Sequence, residues 1–176
     1  AVECIDRLRD TMQSHERCSV VEVMGRHAGY LALYVGLAVG ATAVLVPETA
    51  YDFEDHVAEK IRQARLMGKT NFMIVVAEGC VSAMKVGDQI REELGLDPRV
   101  TILGHIQRGG SPTAKDRVIA TRMGYEAVRV LAEGGTNRVV VIHNDQVMDL
   151  DINEGLSMMK TLNQEEFQVM KTMTGQ

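Results

Sequence analysis

Tryptophan is absent from this chain, and three phenylalanines and four tyrosines hold the aromatic share of its 176 residues to 4%. Packing must therefore fall to Val, Leu, Ile, Ala and eleven methionines, which are spaced as core filler. Cysteine is scarce and odd in number. Cys4, Cys18 and Cys80 lie far apart, which excludes both a disulfide framework and a metal-ligand spacing, and no signal-peptide pattern is present. The expectation is a cytoplasmic protein with reduced thiols. There is no excess of positive charge: 19 Lys and Arg against 24 Asp and Glu give a net −5. A broad nucleic-acid-binding face is therefore not expected. Nor is there a clean apolar run long enough to span a bilayer. The longest, residues 30–46, is broken by two glycines and stopped by Pro47, so no membrane partner is expected. Linker-like, low-complexity and repeated segments are missing too.

What the chain does have is alternation of strand and helix. An amphipathic helix over residues 1–13 carries Val2, Ile5, Leu8 and Met12 on one face, and a turn follows at 14–17. The pattern then predicts strand 19–24, helix 30–39, strand 43–46 and helix 53–67. In the last of these Val57, Ile61, Ala64 and Leu66 point inward and Gly68 makes the stop. Strand 72–77, helix 87–94, strand 100–103, a long helix to about Glu133, strand 138–142, a polar segment and a helix over 163–172 complete the chain. Strands separated by helices of this length imply an α/β fold, a parallel sheet with helices on both faces. Ligands of such sheets collect at the carboxyl ends of strands, which points to Gly25-Arg26, Glu78-Gly79 and residues 104–108.

The richest of these ends is Arg99 to Arg117. A β-branched run, Val100 to Leu103, reads as a buried parallel strand that stops at Gly104, and His105, Gln107 and Arg108 follow at once. Gly109-Gly110-Ser111-Pro112 makes a turn, with Ser111 as N-cap and Pro112 at the first helical position. The apolar face of the helix beyond it is Val118, Ile119, Met123, Ala127, Val128 and Leu131. The strand end thus faces a helix N-terminus, which favours an anion. Arg99, His105 and Arg108 add cations to that pocket. At the earlier strand end, Gly25 and Gly29 let backbone approach a ligand and Arg26 offers charge-assisted hydrogen bonds to phosphoryl oxygen. A carboxylate at a strand end, Glu78, accepts hydroxyl hydrogen bonds and suits a sugar. Asp145, Asp149, Asp151 and Glu154 read as a solvated connection, Asp116-Arg117 as a local pair, and Lys69 as a favourable charge at a helix C-terminus.

A basic residue, four spacers, Gly-His-x-Gln-Arg-Gly-Gly, five spacers and Asp-Arg: this order resembles the signature of the 6-phosphofructokinase family at every fixed position. Met24-Gly25-Arg26 and the Glu78 segment resemble it as well, and the likeness runs nearly the whole chain. It implies the sugar-phosphate lobe of a bacterial-type enzyme, residues 1–106 and 159–176, with residues 107–158 completing an ATP lobe. The implied activity is transfer of the γ-phosphoryl of MgATP to fructose 6-phosphate in glycolysis, by a homotetramer. Met24, Gly25 and Arg26 would line the sugar phosphate and reaction centre, with Arg26 catalytic. Glu78, His105, Ile106, Gln107 and Arg108 would bind fructose 6-phosphate within their own subunit. Arg17 and Arg99 would reach across an interface to a neighbour's.

An effector site for a nucleotide diphosphate or phosphoenolpyruvate is implied at Arg9 and Lys69, with Gly40 for close approach. Thr42 stands where some members have a metal-holding glutamate, and Met67 and Asn71 replace polar or basic positions. The family's Gly-Gly-Asp-Gly-Ser loop, which holds MgATP, and its Thr-Ile-Asp-Asn-Asp segment, with the catalytic aspartate, are not in these 176 residues. The expectation is that they lie in a missing N-terminal portion and that this chain alone is inactive. The resemblance leaves two alternatives: a pyrophosphate-dependent phosphofructokinase, or a non-catalytic sugar-phosphate-binding or regulatory fragment.

Overall fold

In the computed structural model, which describes residues 1–12, 17–159 and 161–174, four parallel strands form the organising sheet. They are β1 (Arg17–Val23), β2 (Ala43–Leu45), β3 (Asn71–Ala77) and β4 (Pro98–Ile102), in the order β2-β3-β1-β4. Strands β1 and β3 are central and pair residue for residue, from Arg17 opposite Asn71 to Val23 opposite Ala77. Their β-branched runs are buried on both faces, as a covered parallel sheet requires.

The pleat sorts the core into two layers. Val20, Phe72, Ile74 and Val76 face Val57, Ile61, Val86 and Ile90. These come from a π-turn (Glu54–Ala58) leading into α3 (Glu59–Leu66), and from α4 (Ala83–Leu94). Val21, Val23, Met73 and Val75 face Ile5 of α1 (Val2–Met12) and Ala32, Val35 and Val39 of α2 (Tyr30–Val39). A last helix, α7 (Gln164–Met173), lays Met170 against Leu33 of α2. Burial keeps the Cys18 thiol protonated by pushing its pKa up to about 12.

Residues 1–109 and 162–176 make one compact unit, and residues 110–161 a second. The second holds α5 (Ala114–Ala132), an antiparallel hairpin of β5 (Arg138–His143) and β6 (Gln146–Asp151), and α6 (Ile152–Ser157). Among its described residues Val130 alone is a buried apolar side chain, while Tyr125, Val128, Leu131 and Leu156 stand in water.

Several expectations are corrected. Strand β4 is half-buried rather than buried: it is an edge of the sheet and, unlike the other edge β2, leaves Arg99 and Ile102 exposed. Helix α4 begins at Ala83, four residues early: the Glu22 carboxylate on β1 accepts the Ala83 N–H at 3.0 Å and supplies an N-cap from outside the local sequence. Helix α5 is capped by Thr113, not Ser111, in a reciprocal box with Asp116. Asp116 is thus engaged with Thr113 rather than with Arg117, and its own carboxylate occupies the helix N-terminus expected to attract an anion. Val118, Val128 and Leu131 lie outside the α5 packing face. The polar segment after β5 is strand β6, where Asp149 pairs with Arg138 and Asp151 caps α6. Leu66 is exposed, because the turn at Gly68 ends α3 before another inward position.

This burial contrast sets a stability test. Ile61→Ala should lower the unfolding free energy by about 2–5 kcal/mol. Leu66→Ala should change it by less than about 0.5 kcal/mol. Urea denaturation of both variants measures the difference, and equal costs would contradict the assignment of faces.

Candidate functional site

Three strand ends converge in the first unit. The chain leaves β1 through Met24, Gly25 and Arg26, leaves β3 at Glu78-Gly79, and leaves β4 into a 3-10 turn over Gly104–Arg108. Together they line an open cleft of about 880 Å³, with Arg26, Glu78, His105, Gln107 and Arg108 among its walls. Helix α1 supplies Val2 and Glu3, and α2 supplies Leu31 and Val35.

The cleft is held by side-chain-to-backbone bonds. Glu78 Oε1 accepts the N–H groups of Gly25 at 3.1 Å and Arg26 at 2.7 Å. Gln107 Oε1 accepts the Met24 N–H at 3.0 Å, and its Nε2 donates to the Gly104 carbonyl at 2.7 Å. Glu48 closes the far end of the loop by accepting the Gly29 N–H with both carboxylate oxygens. Each of the three turns is therefore tied to a neighbouring turn.

Arg26 itself has a φ of +51°, a left-handed backbone that a long side chain adopts only where its surroundings impose it. Gly79 is part of that imposition, since a Cβ there would overlap the Arg26 carbonyl oxygen. The glycines at 25 and 29 also serve the packing of the protein on itself: a Cβ at Gly25 would meet the Ala28 carbonyl, and one at Gly29 would meet Val46 and Glu48.

Electrostatics follow from the clamp. Hydrogen bonds from the Arg26 and Gly25 N–H groups, with Arg108 and Arg26 adding charge, hold the Glu78 carboxyl below the usual carboxylate range. Both of its recorded bonds fall on Oε1, which leaves Oε2 for a hydroxyl donor. Two arginines and a histidine flank it, a donor set suited to a phosphorylated polyol.

Not every expected residue joins this cleft. Ile106 is in the 3-10 turn but outside the cleft wall, and is 70% exposed. Arg17 and Arg99 sit at the opposite ends of their strands. Arg17 begins β1 and donates to the Thr11 carbonyl, while Arg99 pairs across from Ser19 and lies 3.9 Å from Asp97. Seven residues at roughly 3.3 Å each put about 20 Å between Arg17 and the cleft. Within one chain, then, Arg99 does not add to the pocket of His105 and Arg108.

Arg9, Gly40, Thr42, Lys69 and Asn71 do come together, around a hollow of about 370 Å³. The Arg9 guanidinium donates to the Val39 carbonyl, and Thr42 Oγ1 accepts the Met73 N–H at 3.2 Å. Gly40 is there for its left-handed φ of +58° at the end of α2, since a Cβ would touch nothing. Among the described residues no three carboxylate, imidazole or thiol groups converge.

Glu48 and Glu22, which position the loop and α4, carry no local signal except an acidic residue in or just beyond a strand. An open parallel α/β sheet with a cationic, carboxylate-bearing cleft at its strand C-termini is the class this architecture defines. The family model described as Phosphofructokinase matches residues 1–131, and the chain belongs to the phosphofructokinase family. It is 47% identical over 173 residues to a protein named ATP-dependent 6-phosphofructokinase from Bacillus mycoides (strain KBAB4), covering 98% of this chain and 54% of that one. The chain thus spans about half the length of the curated relatives it matches. Among solved structures it resembles phosphofructokinase from Saccharomyces cerevisiae, at 32% identity and a TM-score of 0.82 over 98% of this chain and 23% of the yeast chain. A pyrophosphate-dependent phosphofructokinase from Marinobacter aquaeolei shares the fold, at 23% identity and a TM-score of 0.78 over 93% of this chain and 46% of that one.

The clamp has a pH signature. A carboxyl with a depressed folded-state pKa contributes stability that is complete above its unfolded value and is lost as pH falls through the folded one. The Gly25 and Arg26 amide resonances should therefore shift together below the ordinary Glu value of 4.5, and not in Glu78→Gln. Amides that titrate unchanged in Glu78→Gln would remove the clamp.

Proposed function

We propose that the protein to which these residues belong is an ATP-dependent 6-phosphofructokinase and that the cleft is its fructose 6-phosphate site. The observation that carries this reading is the convergence of Arg26, Glu78, His105 and Arg108 on one cleft from three separate strand ends. In this reading His105 and Arg108 hold the 6-phosphate, and Glu78 Oε2 accepts a sugar hydroxyl. Arg26, fixed by its clamped backbone, stabilises charge on the transferring phosphoryl group. Phosphoryl transfer rests mainly on positioning and electrostatics, so a rigid Arg26 is worth more than a mobile one.

Arg17 and Arg99 lie about a strand's length, roughly 20 Å, from their own cleft and serve a neighbour's in a homotetramer. The hollow at Arg9, Thr42 and Lys69 takes a phosphorylated effector, a nucleotide diphosphate or phosphoenolpyruvate. The 47% identity to an enzyme named ATP-dependent supports ATP over pyrophosphate as donor. The second unit's exposed apolar side chains support its role as part of an ATP lobe whose remaining elements cover them. Magnesium enters with ATP and is held mainly by the family's MgATP loop, which is not among these residues.

Three experiments test the reading. Because a hydrogen bond to a charged group contributes about 1.5–3 kcal/mol, Arg17→Ala, Arg99→Ala and Arg108→Ala should each weaken fructose 6-phosphate use about 10- to 100-fold in the full-length enzyme. An unchanged KM in all three removes them from the site. Mixed tetramers of Arg99→Ala and His105→Ala subunits should regain activity that neither variant shows; no recovery would argue against a shared site. The 176-residue chain alone, which contains neither ATP-site motif, should not turn over fructose 6-phosphate with ATP. Turnover would overturn the division of the site between segments.

A further inference from the structure

A second cavity of the first unit, about 310 Å³, opens between β2, the start of α3 and α7, and nothing in the kinase reading uses it. Its volume lies at the lower end of the range for small-molecule sites. Leu45, Phe167 and Met170 give it an apolar wall, while Lys60, Lys171 and His56 line the remainder. Among the described residues no Asp or Glu lines it.

Lys60 is the informative residue. It is only 6% exposed, one of two buried polar or charged side chains among the described residues. An ammonium group has three donors, and its one recorded bond goes to the Thr174 carbonyl at 2.9 Å. No carboxylate among the described residues pairs with it. A buried cation without a counter-charge is costly, and here a second cation adds to the cost. Lys171 Nζ stands 4.8 Å from the Phe167 ring centre, and burial followed by Lys171 lowers the Lys60 pKa. His56 accepts the Asp52 N–H through Nδ1, which leaves Nε2 as a further polar contact.

We propose that this cavity binds a small organic anion, its carboxylate or phosphate head between Lys60 and Lys171 and its apolar body against Leu45, Phe167 and Met170. The head group supplies a counter-charge that none of the described residues gives, and offsets the repulsion between the two ammonium groups. The body replaces water on an apolar wall. The cavity also touches Cys80, two residues beyond Glu78, so its occupant lies against the segment that carries the loop clamp.

Hexanoate, hexyl phosphate and hexanol, titrated calorimetrically into the protein, separate charge from greasiness, and amide spectra locate the contacts at His56 and Phe167. One anion per chain is expected, with hexanol at least about tenfold weaker, and Lys60→Met and Lys171→Met should each weaken the anion about tenfold or more. The tighter of the two anions identifies the head group. Should Lys60→Met unfold, Lys171→Met, on a half-exposed side chain, still decides the matter. Equal binding of hexanol and the anions, unchanged anion affinity in Lys171→Met, or no binding of either anion at millimolar concentration would overturn the proposal.

Discussion

The site depends on one carboxylate that binds backbone through one of its oxygens. Glu78 Oε1 accepts the N–H groups of Gly25 and Arg26 and thereby fixes the turn at the end of β1 to the end of β3. Without it, the Gly25 and Arg26 N–H groups would lose their bonds to the protein, and the left-handed Arg26 would lose part of what holds it. Gln107 makes the corresponding tie from the end of β4, at Met24. Because the central strands are parallel and in register, their C-termini emerge side by side, and short polar side chains suffice to bridge them. The sheet supplies coarse alignment and the clamps supply the last ångström. In the proposed reading Glu78 has two tasks, since it holds the loop that carries the neighbouring arginine and presents its second oxygen to the cleft.

The two units stand differently toward solvent. The first buries β1 and β3 between two helical layers and has a core of its own. The second, residues 110–161, buries Val130 and leaves Tyr125, Val128, Leu131 and Leu156 exposed. A unit of about 50 residues has too little interior to be well covered by itself. In the proposed reading the difference is functional: the sugar-phosphate half is self-sufficient in packing, and the donor half is not.

Much of the fold was legible because parallel strands and amphipathic helices leave local periodicities. Helix α2 falls at Tyr30–Val39 as the pattern predicts, and β3 at Asn71–Ala77 within one residue. What failed were features set by distant residues. Helix α4 starts at Ala83 because Glu22, on another strand, caps it. Strand β4 is a half-buried edge, and strand order is invisible to a local reading. Strand β6 was hidden because its alternation places Asp149 and Asp151 among apolar residues, and only the pairing with β5 reveals it. At the cleft, the pattern points to Arg26, Glu78 and Gln107 as ligand-facing residues but carries no sign of the backbone bonds that Glu78 and Gln107 also make, because their partners lie on other strand ends.

Arg17 and Arg99 show how far strand polarity alone constrains an assembly. Arg17 begins β1 and Arg99 is the second residue of β4, while the other ends of both strands carry the cleft, so no rotamer carries either across the roughly 15–20 Å of sheet between them. An arginine side chain reaches only about a third of that distance. If these two residues act on the sugar phosphate, as the resemblance implies, the phosphate they hold belongs to another copy of the protein. Their place at the N-terminal ends of β1 and β4 is then a reason for oligomerisation, not a consequence of it. A site built this way couples subunits by construction, because any motion that separates them removes two cations from every phosphate at once.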